Sequence, residues 1–285
     1  MFFLLNAWLW ANPGDSFLRM NIPQLAREYA EKNLEADPDS PNAHALYAIA
    51  LCRLGLYNDA LPHFIFGQDS ALYPIHVQEY YADALRYAGF VEKAVLIRQE
   101  LLIDNSVPFG FHPRILAGII DDYRAYHRFD EAFEVAFRLM SKHPNAALSY
   151  AMMAELYIDV GELEEAYFYL WRGESKTDNI RIDQVFARYL LKIGYPDAAE
   201  QYINSFFENN VRNSLLALYA ESKLAFYGPE KALALLDRNK FKHNKHPNVL
   251  WIRMKAYLES GQQQEYQELR AYLTSTYPLW MNTRL

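Results

Sequence analysis

The sequence predicts an all-α fold, a right-handed α-solenoid built from about seven helical hairpins. Hydrophobic residues make up 52% of the 285 residues, so the chain can bury a substantial core. Glycine and proline are sparse, at 11 and 13, so turns are few and short. A glycine-containing segment recurs along the chain and ends each time in an alanine. Self-similarity at a fixed period is the sequence signature of a repeat architecture.

The recurring segment marks the turn of each hairpin. Residues 54–60 (LGLYNDA) recur as residues 88–94 (AGFVEKA) and 160–166 (VGELEEA), with a degenerate copy at 126–132 (YHRFDEA). The closing alanines are separated by 34, 34, 38, 34, 33 and 33 residues. They are Ala26, Ala60, Ala94, Ala132, Ala166, Ala199 and Ala232. This regular spacing predicts one structural unit for each period.

The residue types suit a helix–turn–helix unit. A glycine ends the first helix, because it adopts a left-handed conformation without Cβ strain. Acidic residues such as Glu164 and Glu165 then open the second helix, where negative charge complements the helix dipole. The small alanine lets the two helices pack closely. Pro38, Pro144 and Pro278 lie where a second helix must stop.

These features resemble the tetratricopeptide repeat family, with its 34-residue period, small position 8, glycine near 15, alanine at 20 and proline at 32. Four units have an alanine at position 8, namely Ala48, Ala82, Ala154 and Ala187. The resemblance covers residues 22–278 and implies a superhelix whose first helices line a concave, protein-binding groove. At the aromatic position 24, Phe64 matches, whereas Arg98 and Arg270 depart from the pattern. Position 8 departs as well, with Ile120, Glu221 and Met254 in other units.

The predicted domains are an N-terminal apolar capping segment (1–21), one repeat superhelix (22–278) and a C-terminal tail (279–285). Residues 1–11 form an apolar run that is too short to span a bilayer. This run is either a cap on the first hairpin or a targeting remnant. No positive charge precedes it, which favours a cytoplasmic protein. A bacterial periplasmic protein is the alternative if the run is a targeting remnant.

Charge and composition exclude several functions. The net charge of −7 disfavours nucleic acid as a partner. The single cysteine, Cys52, has no adjacent histidine in the sequence and is expected to be a buried structural thiol. His243 and His246 lie in a loop and no carboxylate or cysteine joins them, so no metal is predicted. Asp121 and Asp122 are adjacent on a helix and point about 100° apart, so they cannot act on one bond. We therefore predict no enzyme activity and no cofactor.

The resemblance also places candidate partner-binding residues on the outward positions of the first helices. Asp83 and Arg86 recur one repeat later as Asp121 and Arg124. The predicted groove residues are Arg53, Asp83, Arg86, Asp121, Arg124, Glu155, Arg188 and Lys192. Outward positions also hold Asp159 and Arg181. Either these residues form a polar ladder that binds a peptide or helix, or each Asp–Arg pair satisfies itself. Reversing the charge of Arg86 and Arg124 is expected to weaken binding with little effect on thermal stability.

Residues of the groove also argue against one ligand of the family. Chaperone-binding members hold a carboxylate with lysine and asparagine at set places, which here are Ala45, Ile49, Glu79 and Asp83. A C-terminal acidic peptide is therefore not the expected ligand at this end of the groove.

Two loops are further candidates for contact. Residues 104–113 carry the four-residue excess between the second and third units, and their Phe109 and Phe111 either form a secondary contact or tuck under the loop. The segment 237–247 is locally basic and either meets an acidic partner or is a solvated loop.

The function predicted from these observations is a non-catalytic protein–protein interaction module, such as an adaptor, assembly factor or chaperone-like subunit. Its partner is another protein, bound as a peptide or helix in the groove. The alternative is a structural or regulatory subunit of a larger complex, for example in envelope or pilus assembly. Such a subunit would dock through its convex face or its N-terminal segment.

Overall fold

A computed structural model of the chain describes residues 13–66, 73–174, 176, 180–207, 213–238 and 241–284. These residues form α-helices joined by short turns, one 3₁₀ helix at Phe109–Phe111, and no strand. The helices of the first half are α1 Pro13–Arg19, α2 Pro23–Ala36, α3 Pro41–Leu54, α4 Tyr57–Phe64, α5 Ile75–Tyr87, α6 Val91–Ile103, α7 His112–Arg124 and α8 Phe129–Lys142. Those of the second half are α9 Ala147–Val160, α10 Leu163–Glu174, α11 Ile180–Lys192, α12 Pro196–Phe207, α13 Asn213–Tyr227, α14 Pro229–Leu236, α15 Pro247–Glu259, α16 Gln263–Thr276 and α17 Pro278–Asn282. The predicted all-α repeat architecture is confirmed.

The chain divides into two compact units. The first ends at Ile97 and includes the short segment Asn244–His246. The second comprises Arg98–His243 and the chain from Pro247 onward. Within the second unit, α9 packs against its hairpin partner α10 and against the first helices of both neighbouring repeats, α7 and α11. The first helices of three repeats therefore lie side by side, which positions the candidate site.

The repeat register is visible in the core. All seven closing alanines are fully buried, and so are the four alanines predicted at position 8. An alanine at these places lets two helix backbones approach each other, because its side chain ends at Cβ. Larger apolar side chains fill the remaining space. For example, Met152, Met153 and Leu156 of α9 pack with buried residues of α7 and α8. The spacing read from the sequence therefore corresponds to the packing contacts of the hairpins.

The turns follow the same register. Gly55 and Gly161 end α3 and α9 with φ of 82° and 89°, in the left-handed region that favours glycine. The degenerate copy at residues 126–132 has His127 in the equivalent place, and His127 adopts φ of 58°. The backbone of this turn is thus kept although its glycine is absent, at some cost in strain.

Arg98, the departure at position 24, is buried in the core of the second unit. Its Nη1 donates hydrogen bonds to both carboxylate oxygens of Asp122 on α7, at 2.8 and 2.6 Å. The Asp122 side chain is fully buried. Gly118 on α7 makes room for this pair, because a Cβ at Gly118 would lie 2.3 Å from Arg98 Nε. A buried ion pair therefore replaces the aromatic contact that the repeat pattern predicts.

Other sequence predictions concern single segments. Cys52 is buried, as expected, and burial raises the pKa of its thiol well above the ordinary value. The predicted cap at residues 1–11 lies outside the described residues, and the domain boundaries stay a prediction. Helix α1 packs against α2. In the part of the chain that the structure describes, none of the helices combines the length and the apolar character needed to cross a membrane.

Candidate functional site

Six charged side chains from the first helices of three successive repeats meet on one face of the second unit. We call them the charge network. Its members are Asp121 and Arg124 of α7, Glu155 and Asp159 of α9, and Arg181 and Arg188 of α11. On each helix the two members are three, four or seven residues apart, so they share one face. The network follows from the repeat, because equivalent helix faces lie side by side.

Arg124 is the centre of the network. Its Nη1 is 2.8 Å from Asp121, its Nη2 is 3.0 Å from Glu155, and its Nε is 2.7 Å from Asp159. One guanidinium thus binds three carboxylates on two helices, with its side chain only 11% exposed. The fixed fork of donors in arginine suits this arrangement, which the single ammonium of lysine could not reproduce.

Arg181 and Arg188 close the network from α11. Arg181 Nη2 lies 2.8 Å from Asp121 and 2.6 Å from Glu155. Arg188 Nη2 lies 2.5 Å from Asp159, and its Nη1 lies 3.5 Å from Glu155. The two arginines are 25% and 29% exposed, and Asp121 is 25% exposed. The network therefore has a buried centre around Arg124 and a rim that faces solvent.

The charges of the network balance and stabilise one another. Three arginines face three carboxylates, so the cluster is neutral as a whole. Burial by itself raises the pKa of Asp159, but Arg124 and Arg188 outweigh this effect and lower the pKa to about 2. Burial also opposes the charged form of Arg124, yet the three carboxylates raise its pKa above the ordinary value. The carboxylate of Asp159 and the guanidinium of Arg124 are thus held in the charged state at neutral pH.

The structure brings together four of the predicted groove residues, namely Asp121, Arg124, Glu155 and Arg188. Lys192 lies exposed one turn beyond Arg188 on α11. Asp159 and Arg181, which were outward positions but not part of the predicted site, complete the network. Their spacing in the sequence could have identified them. Asp159 is four residues after Glu155 and Arg181 is seven before Arg188, so each lies on the same helix face as a predicted residue.

In the first unit, the remaining predicted residues form local contacts. Arg86 Nη2 lies 2.9 Å from Asp83 Oδ1 on the same helix, and its guanidinium also lies over the ring of Tyr87. The guanidinium of Arg53 lies over the ring of Tyr80 at 5.5 Å. One of the two alternatives, an Asp–Arg pair within one helix, is therefore formed here, and the equivalent pair Asp121–Arg124 is formed in the second unit.

The two loops differ in exposure. Phe109 and Phe111 are 62% and 43% exposed on the 3₁₀ helix, so neither side chain tucks under its loop. Phe109 contacts the rings of His112 and His143 along one side. In the basic segment, His246 is buried within the first unit, where its ring meets Tyr57 and Tyr87 edge to face. The described residues contain no group of three or more His, Cys, Asp or Glu side chains that could hold a metal ion.

No protein-family model and no curated protein sequence matches the chain. Solved structures match its fold. A tetratricopeptide repeat protein from Parabacteroides merdae has a TM-score of 0.52 and 19% identity, over 85% of this chain and 96% of that one. A chain of the APC/C hetero-tetramer Cut9–Hcn1 has a TM-score of 0.53 and 14% identity, over 96% of this chain and 58% of that one. Human IFIT1 with m7Gppp-AAAA has a TM-score of 0.52 and 16% identity over 88% and 67%. The chain therefore has the tetratricopeptide repeat fold that its sequence predicts.

Proposed function

We propose that this chain is a non-catalytic scaffold that binds a partner protein along the face carrying the charge network. The network is the observation that supports this proposal. It holds arginine and carboxylate groups in fixed positions on three neighbouring helices, with a solvent-facing rim of Asp121, Arg181 and Arg188. The hydrogen-bonding groups of the rim are already oriented before a partner arrives, so these side chains lose little conformational entropy on binding.

The binding contacts lie at the rim and not at the centre. Arg124 is largely buried and already binds three carboxylates, so its role is to position the others. Arg188 is more exposed, and Lys192 beside it lies in the last turn of α11. We therefore expect Arg188 and Lys192 to contact an acidic or carbonyl-rich segment of the partner.

The charges of the network favour protein over nucleic acid. The fold itself accommodates both classes of ligand, since the IFIT1 structure contains m7Gppp-AAAA and the Cut9 structure is a protein complex. A phosphate backbone is attracted by an excess of positive charge. Here three carboxylates accompany the three arginines, and the whole chain carries a net charge of −7. A polypeptide with both signs of charge matches such a surface better.

Affinity capture from the native cells tests this proposal when wild type is compared with a rim variant. The variant Arg188→Gln/Lys192→Glu should lose at least about tenfold of its bound partner, as expected for charged interface contacts. The control Lys231→Glu/Arg270→Gln makes the same charge change at exposed positions on α14 and α16. It should retain the partner.

Matched thermal unfolding curves of the variants must accompany this comparison, so that a loss of binding is not a loss of fold. Equal capture by wild type, rim variant and control would contradict the proposal. In that case a partner would have to bind through another face, as a subunit docked by its second helices would.

A further inference from the structure

A row of aromatic rings lies on the side of α9 that faces away from the charge network. Tyr157 is two residues from both Glu155 and Asp159, so its side chain projects roughly 160° away from theirs. Its ring meets Phe133 of α8 at 5.1 Å and stacks on Tyr169 of α10 at 5.5 Å. Tyr169 in turn meets Phe168 edge to face at 5.3 Å. Four rings from three helices therefore form one continuous row.

One end of this row opens into a depression on the protein surface. Tyr157, Tyr169 and Phe168 line it together with Glu164 and Glu165, around a volume of about 340 Å³. The Phe168 side chain is 46% exposed, although its ring is large and apolar. The depression thus offers aromatic rings and two carboxylates to the same ligand group.

The two carboxylates are available to a ligand. Glu164 and Glu165 are exposed in the first turn of α10, and among the described residues neither forms an ion pair or a side-chain hydrogen bond, although the charge of Glu164 acts on the nearby Tyr189. The preceding hairpin differs, because Glu131, equivalent to Glu165 in the repeat, is paired with Arg128 at 2.7 Å. The guanidinium of Arg172 already lies over the Phe168 ring at 5.0 Å. An incoming ammonium group would therefore share this ring with Arg172.

We infer that this depression binds a lysine side chain from a basic segment of a partner protein. The charge is complementary, because an ammonium group supplies the cation that Glu164 and Glu165 lack among the described residues. The shape is complementary as well, because the apolar stem of lysine can lie along the rings of Tyr169 and Phe168 while the ammonium meets their π-faces. The site is distinct from the charge network, so either of the two proposals can fail without the other.

A fluorescein-labelled synthetic peptide in which lysine alternates with glycine is the probe, and fluorescence anisotropy at low ionic strength is the measurement. The variant Glu164→Gln/Glu165→Gln should raise the Kd for this peptide roughly tenfold. The control variant Glu259→Gln/Glu265→Gln removes two exposed carboxylates from α15 and α16 and so changes the net charge equally. Its Kd should stay within about twofold of wild type, because only long-range attraction changes.

A second variant tests the aromatic contribution. Phe168→Ala should raise the Kd about threefold without changing any charge on the protein, as expected for an exposed cation–π contact. Its thermal unfolding should match wild type, since the ring is half exposed. Equal weakening by both double variants would show that the peptide responds only to the net negative charge of the protein, and this result would overturn the inference. Unchanged binding by Glu164→Gln/Glu165→Gln would also overturn it.

Discussion

Asp121 and Asp122 are neighbours in the sequence of α7, but they belong to two different electrostatic environments. Asp121 lies on the rim of the charge network, one quarter exposed, and contacts Arg124 and Arg181. Asp122 points into the core of the second unit and binds Arg98, with both side chains almost completely excluded from solvent. The rotation of about 100° between successive helix residues separates the two.

The comparison shows that burial, and not the type of residue, decides what an Arg–Asp pair does. The pair Arg98–Asp122 is almost completely excluded from solvent, so removing one partner takes away the opposite charge that offsets the desolvation of the other. The charge network shares its charges among six groups and keeps part of its hydration. It can lose one rim member while the remaining members stay paired.

The largest expected effect is at the buried pair. Asp122→Ala should lower the free energy of unfolding by about 3–5 kcal/mol, because Arg98 loses the buried carboxylate that binds its guanidinium at two oxygens. Chemical denaturation followed by circular dichroism measures this change. The double variant Arg98→Met/Asp122→Leu should recover most of the loss, since an apolar pair of similar volume avoids the buried charge. A loss of less than about 1 kcal/mol for Asp122→Ala would show that the pair is not desolvated as described.

A smaller effect is expected within the charge network. Arg124→Gln should lower the free energy of unfolding by about 2 kcal/mol, because three carboxylates lose their common partner. Arg188→Gln should cost at most about 1 kcal/mol, as its side chain is partly solvated. The same denaturation experiment compares the two variants. Equal costs would contradict the distinction between a buried centre and an exposed rim.

The three carboxylates around Arg124 change the effect on stability that is expected when its charge is reversed. The sequence predicted that reversing Arg86 and Arg124 would leave thermal stability nearly unchanged. Arg124→Glu would place a fourth carboxylate beside Asp121, Glu155 and Asp159 in a largely buried position. A clear loss of stability is therefore expected at Arg124, and Arg188 and Lys192 are the better positions for testing binding.

Acidification should lower the free energy of unfolding by an amount similar to that lost in Arg124→Gln, or slightly smaller. The pKa of Asp159 is lowered to about 2 in the folded protein, below its ordinary value of 3.8. The unfolded state therefore binds the proton first as the pH falls. The stabilisation from this carboxylate is complete above about pH 5 and is lost between about pH 4 and pH 2, with a magnitude of about 2 kcal/mol.

Denaturation curves recorded across this acidic range test the assignment. Asp159→Asn should show a shallower loss of stability with falling pH than wild type, because it lacks the titrating group. Asp130→Asn, which removes an exposed carboxylate of the same unit, should keep the wild-type slope. Identical slopes for all three proteins would mean that Asp159 does not gain its charge stabilisation from Arg124 and Arg188.

Much of the repeat was predictable because it depends on local residue types. The interval between alanines such as Ala132 and Ala166 predicted which small side chains are fully buried, and the glycine positions predicted the turns. Local chemistry was sufficient there, since a turn glycine and a close-packed alanine are required by the backbone of each hairpin. His127 shows the limit of this reasoning, because the turn keeps its left-handed backbone without glycine.

The candidate site was predictable only in part. The recurrence of Asp83–Arg86 as Asp121–Arg124 indicated a charged face, but it did not show that Asp159 and Arg181 would share their charges with Arg124. Arg98 was visible only as a departure from the aromatic pattern. Its partner lies 24 residues further along the chain, and spacing within one helix carries no information about such a contact.

The sequence by itself determined the register and most of the turns of the hairpins, because these depend on a period that most units repeat through their own glycine and alanine. The tertiary structure alone decided which arginine pairs with which carboxylate. That choice depends on the sides of α7, α9 and α11 that face each other or face the core. Adjacent aspartates of identical chemistry consequently became a solvated rim group and a buried ion pair.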